Sequence, residues 1–181
     1  MHHATRLDPF DKLRVTATIP ERAQPRSLDG YLEVMTRAVF QAGVSWAMIA
    51  QRWDAFRRAF CDFDARRVAA FDDIDIQRAL EERILRSPKK VRATIANAQA
   101  LLAADEEYGG FNNYLGSFPS YEALCADMRK RFKFMGAMNV WYFLFRVGEP
   151  VPNFEEWVQT IPGEHPRMKE MVERARREGT I

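Results

Sequence analysis

An all-α, compact helical protein is what the sequence predicts, and three observations predict it. Apolar residues recur at three- and four-residue steps over most of the chain. Capping residues stand just before those stretches, and no run alternates apolar with polar residues as a half-buried strand does. The length of 181 residues suits about one domain. With 47% hydrophobic and 29% charged residues, and thirteen Phe, four Trp and eight Met, the chain has bulk for a sizeable core and no signature of disorder.

Residues 1–26, with Pro9, Pro20 and Pro25, are expected to form an irregular arm, and residues 27–181 a single helical domain. Ser27 is a suitable N-cap for a first helix whose inner face is Leu28, Leu32, Met35 and Val39. Ser45 would cap the next segment, where Trp46, Ile49, Trp53, Phe56 and Phe60 continue the pattern. Asp64 would cap a short helix through Phe71, and Ile76, Leu80 and Ile84 follow at four-residue steps. Ser87-Pro88 opens a longer helix in the favoured cap-then-proline order, with Val91, Ile95, Ala98 and Leu102 inward and Gly109-Gly110 as its stop. Tyr121, Leu124, Cys125, Met128 and Phe132 have the spacing of a half-buried helix. After Gly136 the stretch AMNVWYFLFRV is apolar nearly all round, which predicts a central helix packed on several sides. Pro150-Val151-Pro152 and Ile161-Pro162-Gly163 read as turns, and Met168, Met171, Val172 and Ala175 as the inner face of a last helix.

Several function classes are excluded early. Two cysteines, Cys61 and Cys125, cannot make a disulfide framework, which fits a reducing cytoplasm. The start of the chain has no apolar stretch of signal-peptide type. The longest apolar-rich window, Met135 to Phe145, falls well short of the ~20 residues that cross a bilayer. Neither Cys-x-x-Cys nor a His pair at ligand spacing occurs, so no metal and no cofactor is expected. Lys and Arg number 27 against 25 Asp and Glu, a formal charge of +2, so nucleic-acid binding has to be argued from local clustering.

Such clustering occurs at the predicted helix end Arg129-Lys130-Arg131, which the connection Phe132-Lys133-Phe134-Met135-Gly136 joins to the central helix. Two helices joined by a short turn with Gly at the start of the second form a helix-hairpin-helix. Such a turn presents unpaired amides and the positive end of a helix dipole to an anion. Gly136 would let a phosphate approach the backbone, and Arg131, Lys133 and Phe134 belong to the same candidate DNA contact. A solvated basic helix end is the other reading of these charges. A second basic group, Arg86, Lys89, Lys90 and Arg92, surrounds the start of the Ser87-Pro88 helix. Cations oppose the dipole there, so either a docked anion or plain surface solubility accounts for them.

Phe40-Gln41-Ala42-Gly43-Val44-Ser45-Trp46 reads as a helix–turn–helix corner with Gly43 in the turn. Trp46 fits either the core stripe or a π-face lining a pocket for a planar ligand. Tyr31 and Trp141 read as core, Glu33 and Arg37 as an i, i+4 pair on a solvated face, and His165 as structural or surface.

Taken together, QAGVSW, FDARRVAAF, ILRSPKKVRATIANAQALL and RFKFMGAMNVWYF resemble the DNA-3-methyladenine glycosylase I family, within the helix-hairpin-helix glycosylase superfamily. The resemblance runs over roughly residues 28–148 in order, with the hairpin one residue shorter between Arg131 and Phe132. It implies a base-excision repair enzyme, and the protein is expected to act as a monomer without a cofactor. Such an enzyme flips an alkylated adenine out of double-stranded DNA and hydrolyses its N-glycosidic bond. By that resemblance Ala38, Gln41, Ser45 and Trp46 border the base pocket, and Lys90, Arg131, Lys133, Phe134 and Gly136 meet the DNA. The family's pocket Glu falls at the position of Ala38, so no catalytic residue is assigned. Glu33 and Glu21 are the acids nearest to hand. The alternative activity is a catalytically silent DNA-binding or lesion-sensing protein. A third is a helical protein-interaction domain that shares only the fold.

Overall fold

In the computed structural model residues 25–162 are described apart from positions 43, 45, 83 and 85, and for Trp46 and Ala47 the backbone alone. Among the described residues every element is helical. In order these are α1 (Leu28–Gln41), α2 (Trp46–Gln51), α3 (Trp53–Ala59), a 3-10 turn at Cys61–Phe63, α4 (Ala65–Ala69) and α5 (Asp73–Glu81). There follow α6 (Pro88–Tyr108), α7 (Phe111–Gly116), α8 (Tyr121–Arg131), α9 (Ala137–Val147) and α10 (Phe154–Trp157). Residues 20–151 make one compact unit, and α10 belongs to a second. Nearly all of the N-terminal arm, the helix expected around 168–175, Glu21 and His165 lie outside the described residues.

Caps set most boundaries. The side chain of Ser27 accepts from the Gly30 amide, Asp64 from Arg67, Ser87 from Lys90 and Ser120 from Ala123. At α5, Asp72 accepts from Ile74 and Asp75 while Asp75 accepts from the Asp72 amide, a reciprocal capping box that the sequence reading did not single out. Gly109 stops α6 at φ 66°, a left-handed position that suits glycine.

The long helix α6 is the axis of the larger unit, with α1, α4, α5 and α7 packed around it. Helix α1 is covered in turn by α9. Leu32, Met35, Val39 and Phe40 of α1, Val91, Ala98 and Leu101 of α6, and Val140, Phe143 and Leu144 of α9 are all closed to solvent. Trp53, Phe56, Phe60 and Phe63 stack in series, with Phe40 edge-on to Phe56 at 4.8 Å. Each fully buried ring of this kind stabilises the fold by roughly 1.5–3 kcal/mol.

Four details depart from the sequence reading. The stripe from Trp46 to Phe60 is divided at Arg52, whose φ of −103° and ψ of 9° end α2 and begin α3, although Trp53, Phe56 and Phe60 still face inward. Leu101 rather than Leu102 is buried on α6, because the buried arc of this helix is wider than the predicted stripe and also takes in Thr94, Asn97 and Ala104. Ile84 is buried but lies beyond the end of α5. Helix α7 was not anticipated. Its inner residues Phe111, Tyr114 and Leu115 have helical spacing, but the two glycines before them read only as a stop.

Candidate functional site

Helix α8 ends in Arg129-Lys130-Arg131, residues 132–136 turn, and α9 begins at Ala137. Phe132 and Met135 are buried and fasten the turn to the core, while Lys133, Phe134 and Gly136 face outward. Phe134 has φ 55°, a left-handed backbone that phenylalanine seldom adopts, and 49% of the residue is exposed. Two amide side chains hold it in place. Asn139 Nδ2 donates to the Phe134 carbonyl at 2.7 Å. Asn97, reaching across from α6 and itself 1% exposed, accepts the Lys133 N–H on Oδ1 at 2.6 Å and donates Nδ2 to the Lys133 carbonyl at 3.0 Å. Asn97 is the residue that sequence reasoning missed. Its only local signal is an amide on the apolar side of the helix, where Gln99 two positions on is exposed.

Gly136 has φ −67° and ψ 173°, a backbone open to any residue, and a Cβ added there would meet nothing within 4 Å. Packing inside the chain therefore does not require glycine. The missing side chain leaves open space at the start of α9, where no side chain caps the first amides. Unpaired N–H groups at a helix start, reached without obstruction, suit an anion.

The expected cations divide. Arg129, Lys130 and Lys133 are exposed around the turn. Arg131 instead turns inward: it donates to Glu107 Oε2 at 2.7 Å and Asp127 Oδ2 at 3.2 Å and lies 5.3 Å from the Tyr114 ring. Its hydrogen bond to Glu107 is the chief cause of a pKa above the ordinary arginine value. Two carboxylates thus occupy the guanidinium that the sequence assigns to DNA.

Lys90 also lies elsewhere than expected. Its ammonium donates to the carbonyls of Ala42 at 3.0 Å and Phe40 at 3.4 Å and sits 5.6 Å from the Phe40 ring, closing the end of α1, which has no basic residue in its last turn. Burial lowers the pKa of this ammonium. Arg92 of the same basic group pairs with Asp73 at 3.3 Å.

On α1, Ala38 and Gln41 are 2% and 4% exposed. Both polar atoms of the Gln41 amide are buried without a hydrogen-bond partner. That is costly for a group with one acceptor and two donors, and it leaves a hydrogen-bonding edge ready for a polar ligand. Gly43, Ser45 and the Trp46 ring lie outside the described residues. Glu33 is not part of a solvated pair with Arg37. It accepts from Arg57 at 2.7 Å and from the Trp53 indole at 2.8 Å. Tyr31 and Trp141 are core, with Tyr31 bonded to Asn112. Among the described residues no group of His, Cys, Asp or Glu could hold a metal ion, and no helix is long and apolar enough to cross a membrane.

Comparison with known proteins places the chain in a family. The DNA-3-methyladenine glycosylase of Haemophilus influenzae is 28% identical over 89 residues, 49% of this chain and 48% of that protein, so the match spans about half the relative's length. DNA-3-methyladenine glycosylase 1 of Escherichia coli is 28% identical over 130 residues, 60% of this chain and 70% of that one. A crystal structure of 3-methyladenine DNA glycosylase I superposes with a TM-score of 0.64 at 25% identity, covering 78% of this chain and 88% of that one. A solution structure of 3-methyladenine DNA glycosylase I gives 0.65 at 24%, covering 88% and 97%. The methyladenine glycosylase family model matches residues 24–134, more than half of the sequence, and the chain belongs to that family.

Proposed function

We propose that the protein is a monofunctional DNA glycosylase. In this reading it grips double-stranded DNA through the turn between α8 and α9, flips out an alkylated purine of the 3-methyladenine type and releases it by hydrolysis. The observation that carries the reading is the turn itself, in a chain of this family. Lys133, Gly136 and the uncapped start of α9 face outward together, on a backbone fixed from behind by Asn97. A helix-hairpin-helix of this form binds the phosphate backbone without reading bases. Arg129 and Lys130 add positive charge alongside.

The chemistry asks little of a general acid. Alkylation at N3 makes the adenine cationic and a good leaving group, so the site has chiefly to hold the extruded base and stabilise the sugar cation that develops. The unpaired amide of Gln41 would supply hydrogen bonds to the edge of the base. A second reading, a DNA-binding lesion sensor without base release, is favoured by Ala38. Its methyl group brings no charge to the position where the family resemblance implies Glu.

The deciding experiment incubates the folded protein with alkylated duplex DNA and follows free purine by chromatography and strand integrity by electrophoresis. The expected outcome is released 3-methyladenine with intact strands. Duplex binding without release would establish the sensor, and absence of binding even at low salt would leave an interaction domain.

A further inference from the structure

Two phenylalanines among the described residues have a left-handed backbone, and packing explains only one of them. Phe63 has φ 61°, is closed to solvent and stacks on Trp53 at 5.3 Å and on Phe60 at 6.0 Å. Burial of that ring offsets the cost of the backbone beneath it. Phe134 has φ 55° with 49% of the residue exposed, and it has no ring partner among the described residues. Besides Ile74 it is the one large apolar residue among them that stays open to water. A bulky side chain at positive φ persists only where its surroundings over-determine the backbone.

The surroundings do so here. Asn139 donates to the Phe134 carbonyl at 2.7 Å, and Asn97, 1% exposed, holds the N–H and the carbonyl of Lys133 at 2.6 and 3.0 Å. Two amide side chains thus fix a conformation that glycine or asparagine adopts more readily, and they present a half-bare ring in one place. Positive charge surrounds it. Lys133 precedes it, Arg129 and Lys130 stand exposed at the end of α8, and Gly136 opens the uncapped start of α9 two residues on. A fixed apolar face set among cations and free amides matches a strand in which anionic phosphates alternate with sugars.

We propose that Phe134 packs its ring on a deoxyribose of the gripped strand, between a phosphate met by Lys133 and one met by the first amides of α9. The proposal rests on the reading of the turn as a DNA grip, and adds to it a contact that salt does not screen. A wedge entering the base stack needs a ring bare on both faces, and Phe134 is half covered. The sugar contact carries no base preference. It sets the register of the turn along the strand.

Anisotropy titration of a labelled, unmodified duplex at several salt concentrations tests this, together with thermal unfolding of the same proteins. Phe134→Asn removes the ring and suits the left-handed backbone. Its Tm is expected to be level with wild type or higher, while duplex affinity falls about tenfold. The slope of log affinity against log salt stays at the wild-type value, because no phosphate contact is lost. Phe134→Leu, apolar but not aromatic, keeps affinity within about threefold of wild type. Wild-type affinity in Phe134→Asn overturns the contact. So does a marked fall in its Tm, which would make the ring a structural one, or a reduced salt slope, which would show the phosphate grip itself distorted. A loss in Phe134→Leu equal to that in Phe134→Asn assigns the ring to stacking on a base and overturns the sugar contact. Failure of the wild type to bind duplex even at low salt removes the DNA grip and this contact with it, whereas wild-type binding that Phe134→Asn fully retains removes the contact alone.

Discussion

The turn at residues 132–136 and the end of α1 at residues 40–42 are both held from helix α6, but by different kinds of bond. Asn97 grips the turn with a neutral amide that both donates to and accepts from one residue, Lys133. A planar two-point clamp fixes the direction of the peptide as well as its position. Lys90 grips the end of α1 with an ammonium on a flexible stem, shared between two carbonyls at 3.0 and 3.4 Å. A rotatable point charge of this kind tolerates small movements of its acceptors. The turn is therefore the rigid partner and the end of α1 the adjustable one. This suits the proposed function, in which the first would grip a regular backbone and the second leads to the segment expected to receive a base.

The comparison is broken most severely by Asn97→Leu. It leaves the amide and carbonyl of Lys133 unpaired and is expected to cost roughly 2–3 kcal/mol in urea unfolding. Duplex affinity should fall about tenfold or more as the turn loses its geometry. Normal affinity in a folded Asn97→Leu protein would show that the clamp does not shape the interface. Lys133→Glu sharpens the same point without disturbing the fold. Its exposed side chain predicts a stability change within about 0.5 kcal/mol. The slope of log affinity against log salt should fall by about 1, uniformly across duplex sequences. Lys90→Met gives the smallest expected effect, a loss of about 1 kcal/mol in stability. Base release should slow while duplex binding stays near wild type, and a fall in binding equal to that of Lys133→Glu would place Lys90 at the DNA instead.

Much of the scaffold was legible because it is encoded locally. Ser27, Asp64, Ser87-Pro88 and Gly109 act within three or four residues of their own positions, and the structure finds them at the boundaries where sequence places them. The resemblance to glycosylases was legible for a different reason, the order of four separate motifs. What escaped depends on distance in sequence. Asn97 meets Lys133 across 36 positions and Lys90 meets Ala42 across 48, so neither partner can be read from spacing. Arg131 was assigned by its basic neighbours, whereas Glu107, 24 residues earlier, decides where it points. Arg146 is the one cation in AMNVWYFLFRV, and nothing local marks it as buried. For α7, the two glycines before Phe111 masked the helix that they introduce.

Lys90 and Asn97 are seven residues apart on α6, close to two full turns, so they project from nearly the same side at heights about 10 Å apart. The helix thus acts as a ruler whose graduation is the helical pitch, and the separation between its two grips is inherited from backbone geometry rather than from loop length. One residue inserted between them would swing one grip about 100° around the axis relative to the other. Insertions in the surface connections would leave that measure intact. Descendants of this chain are therefore free to vary their loops but not the count of residues from 90 to 97.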